Sequence, residues 1–195
     1  SERMQRLIND LLKFSRHANL EADFQKVDLA DIVGDVLSDM ESELLKKDAK
    51  IELGALPFIW GIPSQIHQLF QNLLSNSVKF SREDATPKIS IYSEQVVLPS
   101  LINHAEPQRF HQIIIKDNGI GFDAKYAKDI FVVFKRLHSY HEFEGTGIGL
   151  SICKKIVEKH NGHITASGIS GEGATFTITL PQKEFKNERS RLDKE

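Results

Sequence analysis

Glu144-Gly145-Thr146-Gly147-Ile148-Gly149-Leu150-Ser151 runs directly into an amphipathic helical pattern carried by Ile152, Ile156 and Val157. Successive backbone N–H groups at a helix start form an anion site, so phosphate suits such a junction. Its surroundings exclude two common phosphate-binding folds. No βαβ unit encloses the glycines, as a Rossmann domain requires, and no Gly-Lys-Ser/Thr ending makes them a P-loop. A glycine cluster alone decides nothing further, so the neighbouring segments carry the argument.

Moving outward, Ile130-Phe131-Val132-Val133-Phe134-Lys135-Arg136-Leu137 precedes the cluster. Phe131 and Phe134 can anchor a lid while Lys135 or Arg136 reaches phosphate, and core packing is the plain alternative for the two rings. Further upstream, Asp117-Asn118-Gly119-Ile120-Gly121-Phe122 follows the apolar run Ile113-Ile114-Ile115. Asp117 at a strand exit can accept from an exocyclic amine such as that of adenine. The glycines permit close approach to a flat ring, with an ordinary Asp-Asn-Gly turn as the alternative. Upstream again, Asn72, Asn76 and Lys79 fall four and three residues apart on one helical face. Carboxamide oxygens are hard ligands suited to Mg²⁺, and an ammonium neutralises phosphate charge; a solvated polar face is the competing reading.

The hydrophobic periodicity around these segments predicts the architecture. Asp28 caps a helix expected to run to about Lys47 on Leu29, Ile32, Val33, Val36, Leu37 and Met40. Short strands are expected at 50–53 and 58–60, then a helix from Pro63 through Val78. Strands follow at 88–97 and 109–116 around an excursion, 98–108, that holds Pro99 and Pro107. A helix at about 149–160 and strands at 163–167 and 174–180 complete the pattern. This order implies an α+β two-layer sandwich, a mixed sheet with helices on one face, over 27–182. Residues 1–20 stand apart. Met4, Leu7, Ile8, Leu11 and Leu12 form a helical stripe that needs a partner, either a helix bundle with a second copy or the chain's own domain. Residues 183–195 are dominated by charge and are expected to fray.

The whole chain has 195 residues, 40% hydrophobic and 27% charged, with a formal net charge of -2. That is a globular profile, and it gives no sign of nucleic-acid binding. The single cysteine, Cys153, rules out an intramolecular disulfide and fits a reducing, cytoplasmic compartment. No apolar run approaches the roughly 18 residues of a membrane span. The chain opens inside a helical pattern and without Met, so a piece of a longer protein is expected.

Taken in order, the Asn helix, Asp-x-Gly-x-Gly, the Phe pair and Gly-x-Gly-x-Gly resemble the N, G1, F and G2 boxes of sensor histidine kinase catalytic domains. The stretch from Phe134-Lys135-Arg136-Leu137-His138 to Gly149-Leu150 is similar to phytochrome-type kinases in particular. The resemblance implies a Bergerat-type (GHKL ATPase-like) fold, with ATP and Mg²⁺ as cofactors. It implies that Asn76 holds Mg²⁺, that Asn72 and Lys79 lie close to the phosphates, and that Asp117 reads the adenine amine. Gly119 and Gly121 would admit the base, and Gly145, Gly147 and Gly149 would frame the lid and triphosphate. Phe134, Thr146 and Leu150 belong to the same nucleotide-binding set. Thr175 would reach the adenine through water, and Arg136 would contact the γ-phosphate. It further implies that residues 3–16 match the second helix of the dimerisation and phosphoacceptor hairpin, that the parent is a homodimer, and that a response regulator receiver domain takes the phosphate.

The acceptor motif, His before an acidic residue on the first hairpin helix, is absent, and His17 does not sit in that context. Nucleotide binding without self-phosphorylation is therefore expected. Val132 stands where the family often has Glu, and Ile62 where Asp commonly follows Gly61. The remaining histidines, among them His67, His104 and His111, show no metal-ligand spacing and are expected at the surface. Two other readings stay open: another ATPase of this nucleotide fold, whose Glu base would have to replace Gln68 or Ser75, and a degenerate module that only holds partners.

Overall fold

The computed structural model describes residues 23–98, 108–135, 137 and 146–182. The expected helix of residues 1–20, most of the 98–108 excursion and the charged tail lie outside the described residues.

Strand β1 (Gln25–Asp28) leads into α1 (Leu29–Asp39), where the Asp28 side chain accepts from the Ala30 N–H at 2.9 Å as an N-cap. The single helix expected to reach Lys47 is instead two, because α2 (Glu41–Lys46) begins after a break at Met40. Leu29, Val33, Val36 and Met40 make a buried stripe, but beyond Met40 only half-buried Leu44 continues it, and Leu45 is exposed. With nothing to hold the helix on course, the chain turns through Asp48 at φ 50° into β2 (Lys50–Leu53). Strand β3 (Phe58–Gly61) pairs antiparallel with β1, setting Val27 opposite Ile59. Strand β1 was not expected from the sequence, since Val27 is its only apolar residue.

Helix α3 (Pro63–Lys79) carries Pro63 in its first turn and buries Ile66, Leu69, Phe70, Leu73, Leu74 and Val78. Strands β4 (Lys88–Leu98) and β5 (Gln108–Asp117) form an antiparallel pair, and after two short 3₁₀ turns come α4 (Gly149–Lys159), β6 (His163–Ile169) and β7 (Gly173–Pro181). The five-stranded sheet runs β2-β4-β5-β7-β6, with β2 parallel to β4 and the other pairs antiparallel. Ile89, Ile91, Ile113, Ile115, Ile164, Phe176 and Ile178 alternate onto one face and pack with the apolar stripes of α1, α3 and α4. This is the mixed-sheet α+β sandwich expected, with an added two-stranded ribbon. Among the described residues no helix is long and apolar enough to cross a membrane.

Candidate functional site

The site lies where α3, the end of β5 and the start of α4 converge under the apolar layer. On α3, burial of Leu69 and Leu73 against the core rotates Asn72 and Asn76 partly outward. Asn72 Nδ2 donates to the Gly149 carbonyl at 3.4 Å, so it ties α3 to the first turn of α4. Asn76 makes no side-chain hydrogen bond among the described residues, which leaves its carboxamide available to a ligand. Lys79 Nζ stands 4.4 Å from the centroid of the Phe80 ring.

Asp117 ends β5 on the inward face and is buried. Its Oδ1 accepts from the Gly119 N–H at 2.9 Å and from the Ala174 N–H at 3.1 Å, and its Oδ2 accepts from the Ser77 hydroxyl at 3.2 Å. Burial pushes its carboxyl above the usual carboxylate range, and these three hydrogen bonds oppose the shift. The result is a carboxylate fixed in an apolar setting, one oxygen filled by backbone and the other still able to accept.

The glycines after Asp117 have close neighbours within the protein. A Cβ on Gly119 would stand 2.5 Å from the Phe80 carbonyl oxygen, and one on Gly121, at φ +61°, would stand 1.9 Å from that of Ile169. The turn between β6 and β7 answers in kind: at Gly173, φ +128°, a Cβ would sit 2.0 Å from the Asp117 carbonyl oxygen. Gly171 N–H donates to the Ile120 carbonyl at 2.7 Å and closes the contact. The Gly121 loop and the β6–β7 turn therefore touch backbone to backbone, and Gly119 lies as closely against the end of α3, so protein packing is itself a reason for glycine at both positions. Asn118 faces the other way, accepting from the Lys88 N–H and donating to the Thr86 carbonyl, which pins the segment entering β4.

At the α4 end, no side chain caps the helix; the N-cap is Ile148, whose carbonyl accepts from the Ser151 hydroxyl at 2.7 Å. Gly147 has φ +76°, and its carbonyl accepts from the Phe134 N–H at 3.1 Å. Phe134 itself has φ +64° and is exposed, whereas Phe131 is buried in the core. Thr146, Gly149 and Leu150 are half-buried beside it. Lys135, read as a phosphate contact, pairs with Asp129. Arg136 and Gly145 lie outside the described residues.

Residues 61–184 match the family model of the histidine kinase-, DNA gyrase B- and HSP90-like ATPases. The chain belongs to that family. Among curated relatives, the phytochrome-like protein Cph1 of Synechocystis sp. is 35% identical over 178 residues, covering 91% of the chain and 22% of the relative. Cyanobacterial phytochrome A of Nostoc sp. is 37% identical over 186 residues, covering 95% and 23%, and the sensor protein kinase WalK of Staphylococcus aureus is 33% identical over 189, covering 93% and 42%. The chain thus spans less than a quarter of the phytochromes it matches. Among solved structures, the mycobacterial sensor histidine kinase MprB shares the fold at a TM-score of 0.67 and 22% identity, covering 83% of this chain and 99% of that one. Full-length ShkA in complex with AMPPNP does so at 0.70 and 23%, covering 92% and 36%.

Within this ATPase fold, one expected site residue stands apart. Thr175 pairs with Lys116 and Ser167 in the sheet, one position before core-facing Phe176, so strand alternation directs it to the face away from the helices. The neighbouring Ala174 supplies the contact to Asp117, through its backbone. Two residues that hold Asp117 were not singled out from the sequence, Ser77 and Ala174. Ser77 had a signal: a polar residue on the apolar side of α3, in line with Leu73 and Leu74. Ala174 had none, because a backbone donor leaves no mark on residue type. The histidines also divide differently from the surface expectation. His111 is buried, and burial lowers its pKa. His67 lies 3.3 Å from Asp39, and His104 falls outside the described residues. Among the described residues no group of three or more His, Cys, Asp or Glu could hold a metal ion.

Proposed function

We propose that the chain is the ATP-binding catalytic unit of a sensor histidine kinase, passing the γ-phosphoryl group to a histidine on another segment. The observation that carries this reading is buried Asp117, held by three hydrogen bonds with accepting capacity left on Oδ2. In this reading Asp117 accepts from the exocyclic amine of adenine. The phosphates then run toward the start of α4, where its uncapped N–H groups and Gly145, Thr146, Gly147, Gly149 and Leu150 surround them, with Phe134 at the lid. Asn72 and Lys79 flank them, and the family resemblance assigns the γ-phosphate contact to Arg136. Asn76, with its carboxamide uncommitted, fits as the ligand of a Mg²⁺ that would neutralise phosphate charge.

The acceptor imidazole nitrogen attacks the γ-phosphorus, the bond to the β-phosphate oxygen breaks, and ADP leaves. For such a reaction the protein contributes mainly positioning and charge neutralisation. The acceptor hairpin, the homodimer that would present it and a response regulator receiver domain are the partners this role requires. The unexposed, fixed acceptor favours a nucleotide-binding site over a surface that merely holds partners.

The test is calorimetric titration of a non-hydrolysable ATP analogue with Mg²⁺ into the chain, Asp117→Asn and Asn76→Ala. Binding that weakens in both variants, followed by ATP-dependent labelling of a supplied histidine hairpin and none of the chain itself, is the expected result. An absence of adenine-nucleotide binding by the unaltered chain would overturn it.

A further inference from the structure

Ser77 is buried on the inner side of α3, one residue past Asn76, and its hydroxyl has a single proton with two acceptors in reach. One is the Leu73 carbonyl at 3.3 Å, a turn earlier in the same helix; the other is Asp117 Oδ2 at 3.2 Å. An ionised carboxylate is the stronger acceptor, so the proton points to Asp117, and the Leu73 carbonyl holds the rotamer in place. Asp117 Oδ1 is already filled by the Gly119 and Ala174 N–H groups, one lone pair each. Oδ2 is thus the oxygen left to meet a ligand, and Ser77 is the side chain that occupies its other lone pair.

We infer that Ser77 is a positioning residue for base recognition: it orients Asp117 Oδ2 so that the remaining lone pair meets a purine amino group, and so contributes to selecting adenine. The inference rests on the reading of Asp117 as the base-contacting carboxylate. Without the hydroxyl, the carboxylate keeps its Oδ1 anchors but is free to swing about them, and its buried charge loses a donor. The loss falls on the ligand's amine and spares the sugar and phosphates.

A chemical double-mutant cycle isolates that term. Titrate Mg²⁺-ATP analogue and the corresponding purine riboside triphosphate analogue, which carries hydrogen in place of the amino group, into the unaltered chain, Ser77→Ala and Ser77→Thr. The unaltered chain should prefer the amino compound, and Ser77→Ala should reduce its affinity for that compound about tenfold, the size expected for a hydrogen bond to a charged group. Its affinity for the amine-free compound should change little, and Ser77→Thr, which keeps a hydroxyl, should retain most of the preference. Equal losses for both ligands in Ser77→Ala, or an undiminished preference, would overturn the role assigned to Ser77. An unaltered chain with no preference between the two ligands would instead remove the underlying reading of Asp117.

Discussion

An alanine at position 121 has to find room between two backbones that already touch. Its Cβ would stand 1.9 Å from the Ile169 carbonyl oxygen and 2.7 Å from that of Gly173, and neither atom belongs to a side chain that can rotate away. Gly171 supplies an internal control, because it too has a left-handed φ, +83°, yet a Cβ there meets nothing within 4 Å. Gly171→Ala should therefore cost only the left-handed penalty, about 1–2 kcal/mol. Gly121→Ala carries the same penalty and must also separate the loops by more than an ångström. That separation strains the Gly171 N–H to Ile120 carbonyl bond and the Ala174 N–H to Asp117 bond, each worth about 1 kcal/mol net. A total of roughly 3–4 kcal/mol follows, in the large tail that belongs to a named structural fault. Urea unfolding of the two variants side by side measures the difference, with the m-value as a check that both unfold from the same native state. Equal losses for Gly121→Ala and Gly171→Ala would refute the reasoning, since they would leave the left-handed backbone as the whole effect.

His160 is buried, accepts the Ile62 N–H on Nε2 at 3.0 Å and meets the Ile156 carbonyl through Nδ1 at 2.7 Å, so it is held neutral with the proton on Nδ1. Burial lowers its pKa below the ordinary 6.5; the unfolded chain therefore takes up a proton that the fold rejects, and stability should fall as pH drops below about 6.5 toward the lowered value, by up to about 1.4 kcal/mol per pH unit for this group. His160→Gln should flatten that slope in urea titrations between pH 7 and 5, leaving the part due to His111. Burial pushes the Cys153 thiol up to about 12, so iodoacetamide at pH 8 should modify it at a rate set by unfolding, and rapid labelling of the native chain would contradict its placement. Asp28→Ala should cost about 1 kcal/mol in the same unfolding assay, through loss of the Ala30 N–H acceptor, and Asp28→Asn should restore most of it. Because the Asp117 pKa is raised and its ionised form is the acceptor, affinity for the ATP analogue should weaken as pH falls through that raised value, and Asp117→Asn should remove this acid dependence.

Much of the fold was legible because its helices are held by long apolar stripes. The repeat in α3 and the apolar start of α4 fix both period and buried face, and Asp28 and Pro63 mark helix starts by their own chemistry. Strand β1 was not legible, since Gln25-Lys26-Val27-Asp28 gains strand character only from pairing with β3 across more than thirty residues. The break at Met40 was missed for the opposite reason: its stripe is correct up to that residue, and what ends the helix is the absence of a surface for α2 to cover. Ile62 shows a third case. It stands where Asp commonly follows Gly61; α3 begins there without a side-chain cap, and the Ile62 N–H itself donates to His160 Nε2 at the far end of α4.

The candidate site follows the same division between what residue type records and what it does not. Asn72, Asn76 and Asp117 were readable because carboxamide and carboxylate chemistry belongs to the side chain. The glycines were readable as necessary, but two different demands predict glycine equally well: a ligand lying against the backbone, or another stretch of backbone doing so. The positions of the Ile169 and Asp117 carbonyls show that the second demand operates at Gly121 and Gly173. The consequence reaches the chemistry. Asp117 is located by Ala174 and by the packing of the β6–β7 turn against its own loop, so the aim of the carboxylate depends on a turn that need never touch the nucleotide. A change at Gly173 should then weaken adenine-nucleotide binding as well as the fold, whereas a change at solvent-facing Gly171 should affect the fold alone.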